Sequence, residues 1–173
     1  MSGTRRPIAL VGLSGAGKST TARALAARLG WPVVDTDACV AERAGRPVAA
    51  IFGEQGEDYF RELEAMTLAE ALTAGPRVVA TGGGVVLRAA SRALLRERAF
   101  VAWLDAPDLA LIERLRTDAD ERPLLAGDAL ARLAIMRAAR APLYAEVAHL
   151  TVQTAGLSPG EVAALILRDY GED

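Results

Sequence analysis

Short apolar segments rich in β-branched residues alternate along the chain with longer stretches rich in alanine, leucine and arginine. The short segments predict strands, and the longer stretches predict the crossover helices that connect parallel strands. This alternation is typical of an α/β domain. The predicted strands are 8–11, 32–34, 78–80, 100–104 and 150–152.

The first predicted helix covers 18–29, where small and apolar residues recur at helical spacing and Gly30 provides a stop signal. Further helices are predicted over 38–44, 54–73, 91–98, 108–116, 128–146 and 159–169.

The segment 117–127 fits neither pattern, because it is polar and contains Pro123 and Gly127. It predicts a mobile loop, and in ATP-dependent enzymes such a loop often serves as a lid.

Composition indicates one globular domain covering 1–173, since 51% of the residues are hydrophobic and 24% are charged. The net charge of −2 provides no positive field for nucleic acid or an anionic membrane surface, so neither is an expected partner.

The first apolar run, 8–11, is too short for a signal peptide, which predicts a cytoplasmic protein. The near-neutral charge and the lack of a long heptad pattern favour a monomer.

The single cysteine, Cys39, and the single histidine, His149, are far apart in sequence, and no third partner is suggested for them. A catalytic thiol is therefore disfavoured, and both residues are predicted to be structural.

A phosphate-binding loop is predicted directly after the first strand. Residues Gly12-Leu13-Ser14-Gly15-Ala16-Gly17-Lys18-Ser19 match GxxxxGK[ST] and open the first helix. Glycines let backbone amides approach the phosphates, and the helix N-terminus adds positive charge. Predicted ATP contacts are Gly12, Ser14, Gly15, Ala16, Gly17, Lys18, Ser19 and Thr20. Lys18 is expected to reach the β- and γ-phosphates and Ser19 to bind Mg²⁺, the expected cofactor.

A pair of carboxylates, Asp35 and Asp37, follows the second strand. The carboxyl ends of parallel strands are where such folds bind ligands. One carboxylate is suited to hold Mg²⁺ through water, and the other to accept the proton of an attacking hydroxyl. The alternative is that one of them caps the following helix.

The ordered series of motifs along the chain resembles the shikimate kinase family. After the P-loop and Asp35-Thr36-Asp37 come Ile51-Phe52, Phe60-Arg61 with Glu64, Gly82-Gly83-Gly84, Arg122-Pro123-Leu124-Leu125 and Arg140-Ala141-Pro142-Leu143-Tyr144. The resemblance runs from about residue 8 to residue 145. It implies a three-layer P-loop kinase fold with a five-stranded parallel sheet in the order 2-3-1-4-5 and a mobile lid.

The resemblance also implies that ATP and shikimate are converted to ADP and shikimate 3-phosphate, on the route to aromatic amino acids. By this resemblance, shikimate is bound by a helical region over 37–64 and by six residues: Asp37, Arg61, Gly82, Gly83, Gly84 and Arg140. Lys18 and Arg122 act with Asp37 in catalysis. Asp35 lies near Mg²⁺, and Arg116 and Arg122 contact ATP.

The chemistry of the substrate suits these roles, because two guanidinium groups match its carboxylate and an aspartate matches its hydroxyls. Whether Asp37 is a true base or only orients the hydroxyl is left open. Glu64, one turn beyond Arg61, is expected to pair with an arginine. The alternatives are a gluconate kinase of the same fold and a nucleotide-binding regulator without phosphoryl transfer.

Overall fold

The computed structural model describes residues 5–117 and 127–171. The strands β1 to β5 form one parallel sheet in the order β2-β3-β1-β4-β5, as predicted. Their bounds are β1 (Ile8–Val11), β2 (Val33–Asp35), β3 (Val78–Ala80), β4 (Phe100–Asp105) and β5 (Leu150–Gln153).

Two groups of helices pack on this sheet. Helices α1 and α7 contact each other, whereas α3, α4 and α6 are in contact in series. The helices are α1 (Lys18–Leu29), α2 (Thr36–Ala44), α3 (Val48–Thr73), α4 (Ala89–Arg98), α5 (Asp108–Thr117), α6 (Ala129–Val147) and α7 (Pro159–Tyr170), and a 3₁₀ turn covers Val85–Leu87.

The hydrophobic core is centred on the middle strands of the sheet. All four residues of β1 are fully buried, and β3 and β4 flank them with mostly buried apolar side chains. Strands enclosed on both faces have apolar residues in succession rather than in alternation, which is why these segments were recognisable as strands. The rigid centre fixes the positions of the loops at its carboxyl end.

Three predicted helix starts were wrong by two or more residues, and one of them is that of α4, which begins at Ala89 rather than at residue 91. Helix α2 begins at Thr36 rather than at residue 38, because the Asp35 side chain caps it. Helix α3 begins at Val48 rather than at residue 54, and Gly56 interrupts it with φ 84° and ψ 170°. Only glycine adopts this backbone conformation readily, so two helical segments meet there at a kink.

The two residues predicted to be structural lie outside the loops described below. His149 accepts a hydrogen bond from the Val101 N–H at 3.1 Å and stacks on Phe100, at the amino ends of β4 and β5. Cys39 is half-buried on α2, and burial together with nearby Glu42 raises the pKa of its thiol. A thiol with a raised pKa is a poor nucleophile.

Over 5–117 and 127–171, no helix is long and apolar enough to cross a membrane. Most of the predicted lid, together with Arg122, lies outside the described residues.

Candidate active site

The phosphate-binding loop lies between β1 and α1, and its backbone conformation requires glycine. Gly12, Gly15 and Gly17 have φ values of 144°, 83° and 93°. A Cβ on Gly12 would lie 2.2 Å from the carbonyl oxygen of Leu104, so only glycine fits against β4. The loop therefore presents bare backbone at the N-terminus of α1, the arrangement that binds phosphate groups.

Lys18 bends back over this loop. Its Nζ donates to the carbonyl oxygens of Gly12 at 2.7 Å and Leu13 at 3.0 Å. Lys18 also lines a cleft of about 610 Å³ whose walls include Asp35, Asp37 and Gly83. The predicted phosphate-binding lysine and the predicted catalytic aspartate thus share one cleft.

Asp35 combines the two alternatives that the sequence left open. Its Oδ1 accepts hydrogen bonds from the backbone N–H groups of Asp37 and Ala38, both at 3.1 Å, and so caps α2. Its Oδ2 accepts from the Ser19 hydroxyl at 3.2 Å. A hydroxyl and a carboxylate oxygen side by side at the phosphate loop are hard oxygen donors, which is the type of ligand that Mg²⁺ prefers.

Asp37 has an uncompensated carboxylate oxygen. Its Oδ1 is buried and accepts no hydrogen bond from the part of the chain that the structure describes. Burial, and then the charge of Asp35, raise the pKa of this carboxyl, while Lys18 and Arg61 act in the opposite direction. A buried carboxylate with a raised pKa next to two cations is typical of a functional site.

Arg61 is 9% exposed, which is unusual for an arginine. Its Nη1 donates to Glu64 Oε2 at 2.8 Å, and its guanidinium carbon lies 5.1 Å from the centre of the Phe60 ring. The predicted pairing of Glu64 with an arginine is confirmed. Burial raises the pKa of the Glu64 carboxyl, although Arg61 opposes the shift. These contacts hold the guanidinium in one orientation.

The three glycines after β3 are needed for space. None of them has a positive φ among the described backbone angles, so an unusual turn conformation is not the reason for glycine here. A Cβ on Gly82 would lie 2.5 Å from Asp37 Oδ1, and one on Gly84 would lie 2.3 Å from Arg61 Nη2. At Gly83 the nearest atom would be Arg140 Nη1, at 3.4 Å. The glycine loop 82–84 therefore lets Asp37, Arg61 and Arg140 converge on the backbone.

Two buried side chains that sequence reasoning did not assign to the site hold this glycine loop. The Thr36 hydroxyl accepts a hydrogen bond from the Gly82 N–H at 3.1 Å. The Tyr144 hydroxyl donates to the Gly83 carbonyl oxygen. Both residues belong to motifs quoted above, but the sequence offered no sign that they meet the same loop.

Arg114 is a further residue that sequence reasoning missed. Its Nη1 donates to the Gly15 carbonyl oxygen at 3.1 Å and to the Thr154 hydroxyl at 3.0 Å, and the residue lines the cleft that contains Lys18. Arg116, predicted to contact ATP, is exposed near the end of α5, and its role stays a prediction. The two residues are close in sequence, and helix geometry turns them in different directions.

The sheet has this strand order and a phosphate-binding loop at its central strand, and buried acidic and cationic side chains lie beside that loop. These features define the class of P-loop kinases that act on small molecules. Comparison with known proteins narrows the class. The family model described as shikimate kinase matches residues 14–170. The chain belongs to the shikimate kinase family.

Individual relatives agree with this membership. The chain is 47% identical over 167 residues to a shikimate kinase of Symbiobacterium thermophilum, covering 95% of this chain and 96% of the relative. It is 45% identical to that of Thermobifida fusca, covering 95% of each. The solved structure of the Acinetobacter baumannii shikimate kinase in complex with shikimate superposes with a TM-score of 0.88 at 36% identity, covering 94% of this chain and 91% of that one.

The gluconate kinase alternative can be compared in the same way. A gluconokinase structure from Sinorhizobium meliloti superposes with a TM-score of 0.63 at 19% identity, covering 97% of this chain and 93% of that one. Identity this low indicates a shared fold and nothing more.

Proposed function

We propose that this chain transfers the γ-phosphoryl group of ATP to the 3-hydroxyl of shikimate, giving ADP and shikimate 3-phosphate on the route to aromatic amino acids. The single observation that supports this best is that Asp37 lines the same cleft as Lys18 while Arg61, Arg140 and the glycine loop converge beside it. One end of this arrangement suits a triphosphate, and the other suits a hydroxylated carboxylate.

On the nucleotide side, the backbone amides of the phosphate-binding loop and the N-terminus of α1 hold the phosphate chain. Lys18, already beside the loop, turns its ammonium group from two carbonyl oxygens to the β- and γ-phosphates. Ser19 and, through water, Asp35 would hold Mg²⁺, which neutralises charge on the phosphate oxygens when bound.

On the acceptor side, Asp37 accepts a hydrogen bond from the hydroxyl that attacks. Its raised pKa makes it a better proton acceptor than an ordinary aspartate, so it can orient the hydroxyl and take up its proton. Arg61 and Arg140 bind the carboxylate of shikimate, because planar guanidinium groups match a carboxylate with paired hydrogen bonds. Gly83 and Gly84 offer their backbone N–H groups to the ring from the floor of the pocket.

For the nucleoside, we propose a role for Arg114. A smaller cleft of about 150 Å³ is lined by Arg114, Thr154, Leu157 and Pro159, next to Gly17 of the phosphate loop. A guanidinium group stacks well on a flat aromatic ring, so an adenine base suits this wall. Replacing Arg114 with methionine is expected to raise the KM for ATP and leave that for shikimate unchanged. For Arg116 and Arg122, contacts with ATP stay predictions.

The expectations of a cytoplasmic monomer, with ATP and shikimate as its small-molecule substrates, also stay predictions. Sedimentation velocity at several protein concentrations tests the monomer, which requires one concentration-independent species.

ADP release by purified protein with Mg-ATP tests the activity. Shikimate should stimulate it strongly, whereas gluconate and nucleoside monophosphates should not. Phosphorus NMR of the product identifies which hydroxyl carries phosphate. Stimulation by gluconate instead would favour the related sugar-acid kinases, and ATP binding without turnover on any of these acceptors would favour the regulator.

A further inference from the structure

All three carbonyl groups of the glycine loop 82–84 accept hydrogen bonds, and the Gly82 N–H donates to the Thr36 hydroxyl. The Gly82 carbonyl accepts from the Val85 N–H at 3.1 Å, and the Gly84 carbonyl accepts from the Leu87 N–H at 3.0 Å. Between them, the Gly83 carbonyl accepts from the Tyr144 hydroxyl. The first two bonds are local turns. The bond from Tyr144 instead ties the middle of the loop to α6.

A peptide unit flanked by two glycines is the easiest kind to rotate, because neither side has a Cβ to restrict it. The Gly83 carbonyl belongs to the peptide unit that also contains the Gly84 N–H. A rotation of this unit would redirect both groups beside Asp37, Arg61 and Arg140, which lie around the glycine loop. A hydrogen bond to the carbonyl removes that freedom.

Tyr144 is well placed to act as this restraint. It is 1% exposed, its ring lies 5.7 Å from that of Trp103, and it follows Arg140 by one turn of α6. Burial raises the pKa of its hydroxyl to about 12, so the hydroxyl keeps its proton at neutral pH and remains a donor. The same helix thus supplies the arginine beside Gly83 and the hydroxyl that fixes Gly83.

We propose that Tyr144 is a positioning residue for the acceptor substrate: its hydroxyl fixes the peptide unit between Gly83 and Gly84 and keeps that unit in register with Arg140. Tyr144 does not touch the reacting atoms in this role. The inference rests on the proposed function, since it concerns how shikimate is held, and it assigns to Tyr144 more than the packing of its ring.

Tyr144→Phe tests the hydroxyl alone, because the aromatic ring that packs on Trp103 is kept. Tyr144→Phe removes the hydrogen bonds of this hydroxyl with the Gly83 carbonyl and with Arg140, which is expected to raise both the KM and the Kd for shikimate about tenfold. The KM for ATP should stay within about twofold of the wild-type value, because the phosphate loop has its own backbone support.

Tyr170→Phe is the matched control. The Tyr170 hydroxyl also donates to a backbone carbonyl oxygen, that of Arg6 at 2.7 Å, and its ring packs against Trp31 and Phe100. The chemical change is the same, but it lies at the C-terminal end of α7, away from the cleft. This variant should lower the melting temperature and leave the shikimate KM unchanged.

A lowered melting temperature of Tyr144→Phe with an unchanged shikimate KM would overturn the proposal and leave Tyr144 a packing residue. Wild-type protein without shikimate turnover would instead overturn the proposed function, and the inference with it.

If Tyr144→Phe does not fold, relaxation dispersion of the Gly84 amide in the wild-type protein decides. A single, exchange-free Gly84 signal supports a fixed peptide unit. Exchange between two orientations on the microsecond to millisecond scale contradicts it.

Discussion

The two sides of the cleft are built in different ways. The phosphate side is one continuous segment, the loop 12–19, in which backbone groups and Lys18 are the expected ligands. The acceptor side takes single groups from distant elements: Asp37 from α2, Arg61 from α3, the glycine loop after β3 and Arg140 from α6. The first is a local structure, and the second exists only when four elements are packed together.

This difference determines which substitutions weaken each side of the cleft. A backbone site depends mainly on a few glycines and on one strand-to-helix turn, and Arg114 is the distant side chain that supports this one at the Gly15 carbonyl oxygen. An assembled site also depends on the side chains that orient its groups. Glu64 orients the Arg61 guanidinium, and Tyr144 holds the Gly83 carbonyl. Misplacement by about 1 Å is enough to cost about 100-fold in rate.

The largest expected effects separate the chemical roles of the two sides. Asp37→Asn should lower turnover by at least about 100-fold, because an amide cannot take up the proton of the hydroxyl. It should leave ATP binding intact.

Lys18→Met should also abolish turnover, but in this variant the lost contacts are those with the phosphates of ATP. Turnover by steady-state assay and binding of ATP by calorimetry distinguish them, and near-wild-type turnover of Asp37→Asn would refute the role of Asp37.

A smaller effect is expected from Gly84→Ala. Gly84 has φ −96° and ψ 6°, which alanine adopts without strain, so the substitution tests space alone. The new Cβ would lie 2.3 Å from Arg61 Nη2 and displace the guanidinium. The shikimate KM should rise about tenfold, with little change in that for ATP.

Gly53→Ala is the control for this substitution. Its Cβ would meet no atom within 4 Å, and the residue lies in the first segment of α3. Alanine there should leave both KM values unchanged and stabilise the helix slightly. Equal effects of Gly84→Ala on both substrates would argue against separate sides of the cleft.

The same Asp37→Asn variant should be more stable than the wild-type protein. The folded protein raises the pKa of Asp37 above its usual 3.8, so at neutral pH the ionised carboxylate costs folding free energy. Removing that charge should therefore raise the melting temperature. Lowering the pH through the raised pKa protonates the wild-type carboxyl, so the difference should shrink. A difference that grows towards acid pH would contradict this explanation.

The smallest expected effect lies at the opposite end of the sheet. Burial and Arg6 lower the pKa of His149 below its usual 6.5, and its Nδ1 must be unprotonated to accept from Val101. Below pH 6.5 the unfolded chain binds a proton more readily than the folded one, so stability should fall as the pH falls through this range. The single imidazole resonance gives the pKa by NMR titration. In His149→Gln, the contribution to the pH dependence should disappear without any change in either KM.

The sequence predicted the elements of the fold better than their ends. Apolar runs located all five strands to within a residue or two. For the central strands β1 and β3, the reason is that strands buried on both faces need such runs. The start of α3 at Val48 was missed because the kink at Gly56 divides the periodic pattern. The start of α2 depended on whether Asp35 acts as a cap, which the sequence offered only as an alternative.

What the sequence determined by itself is the phosphate loop and the family, because in both the information lies in residues at fixed spacing along the chain. The tertiary structure alone decided which distant residues hold the phosphate loop and the glycine loop in place. Arg114, Thr36 and Tyr144 act on loops far from them in sequence, and the glycines at 82 and 84 are needed because Asp37 and Arg61 occupy the space of their missing side chains. Contacts of this kind depend on how the helices pack on the sheet, which local sequence patterns do not predict.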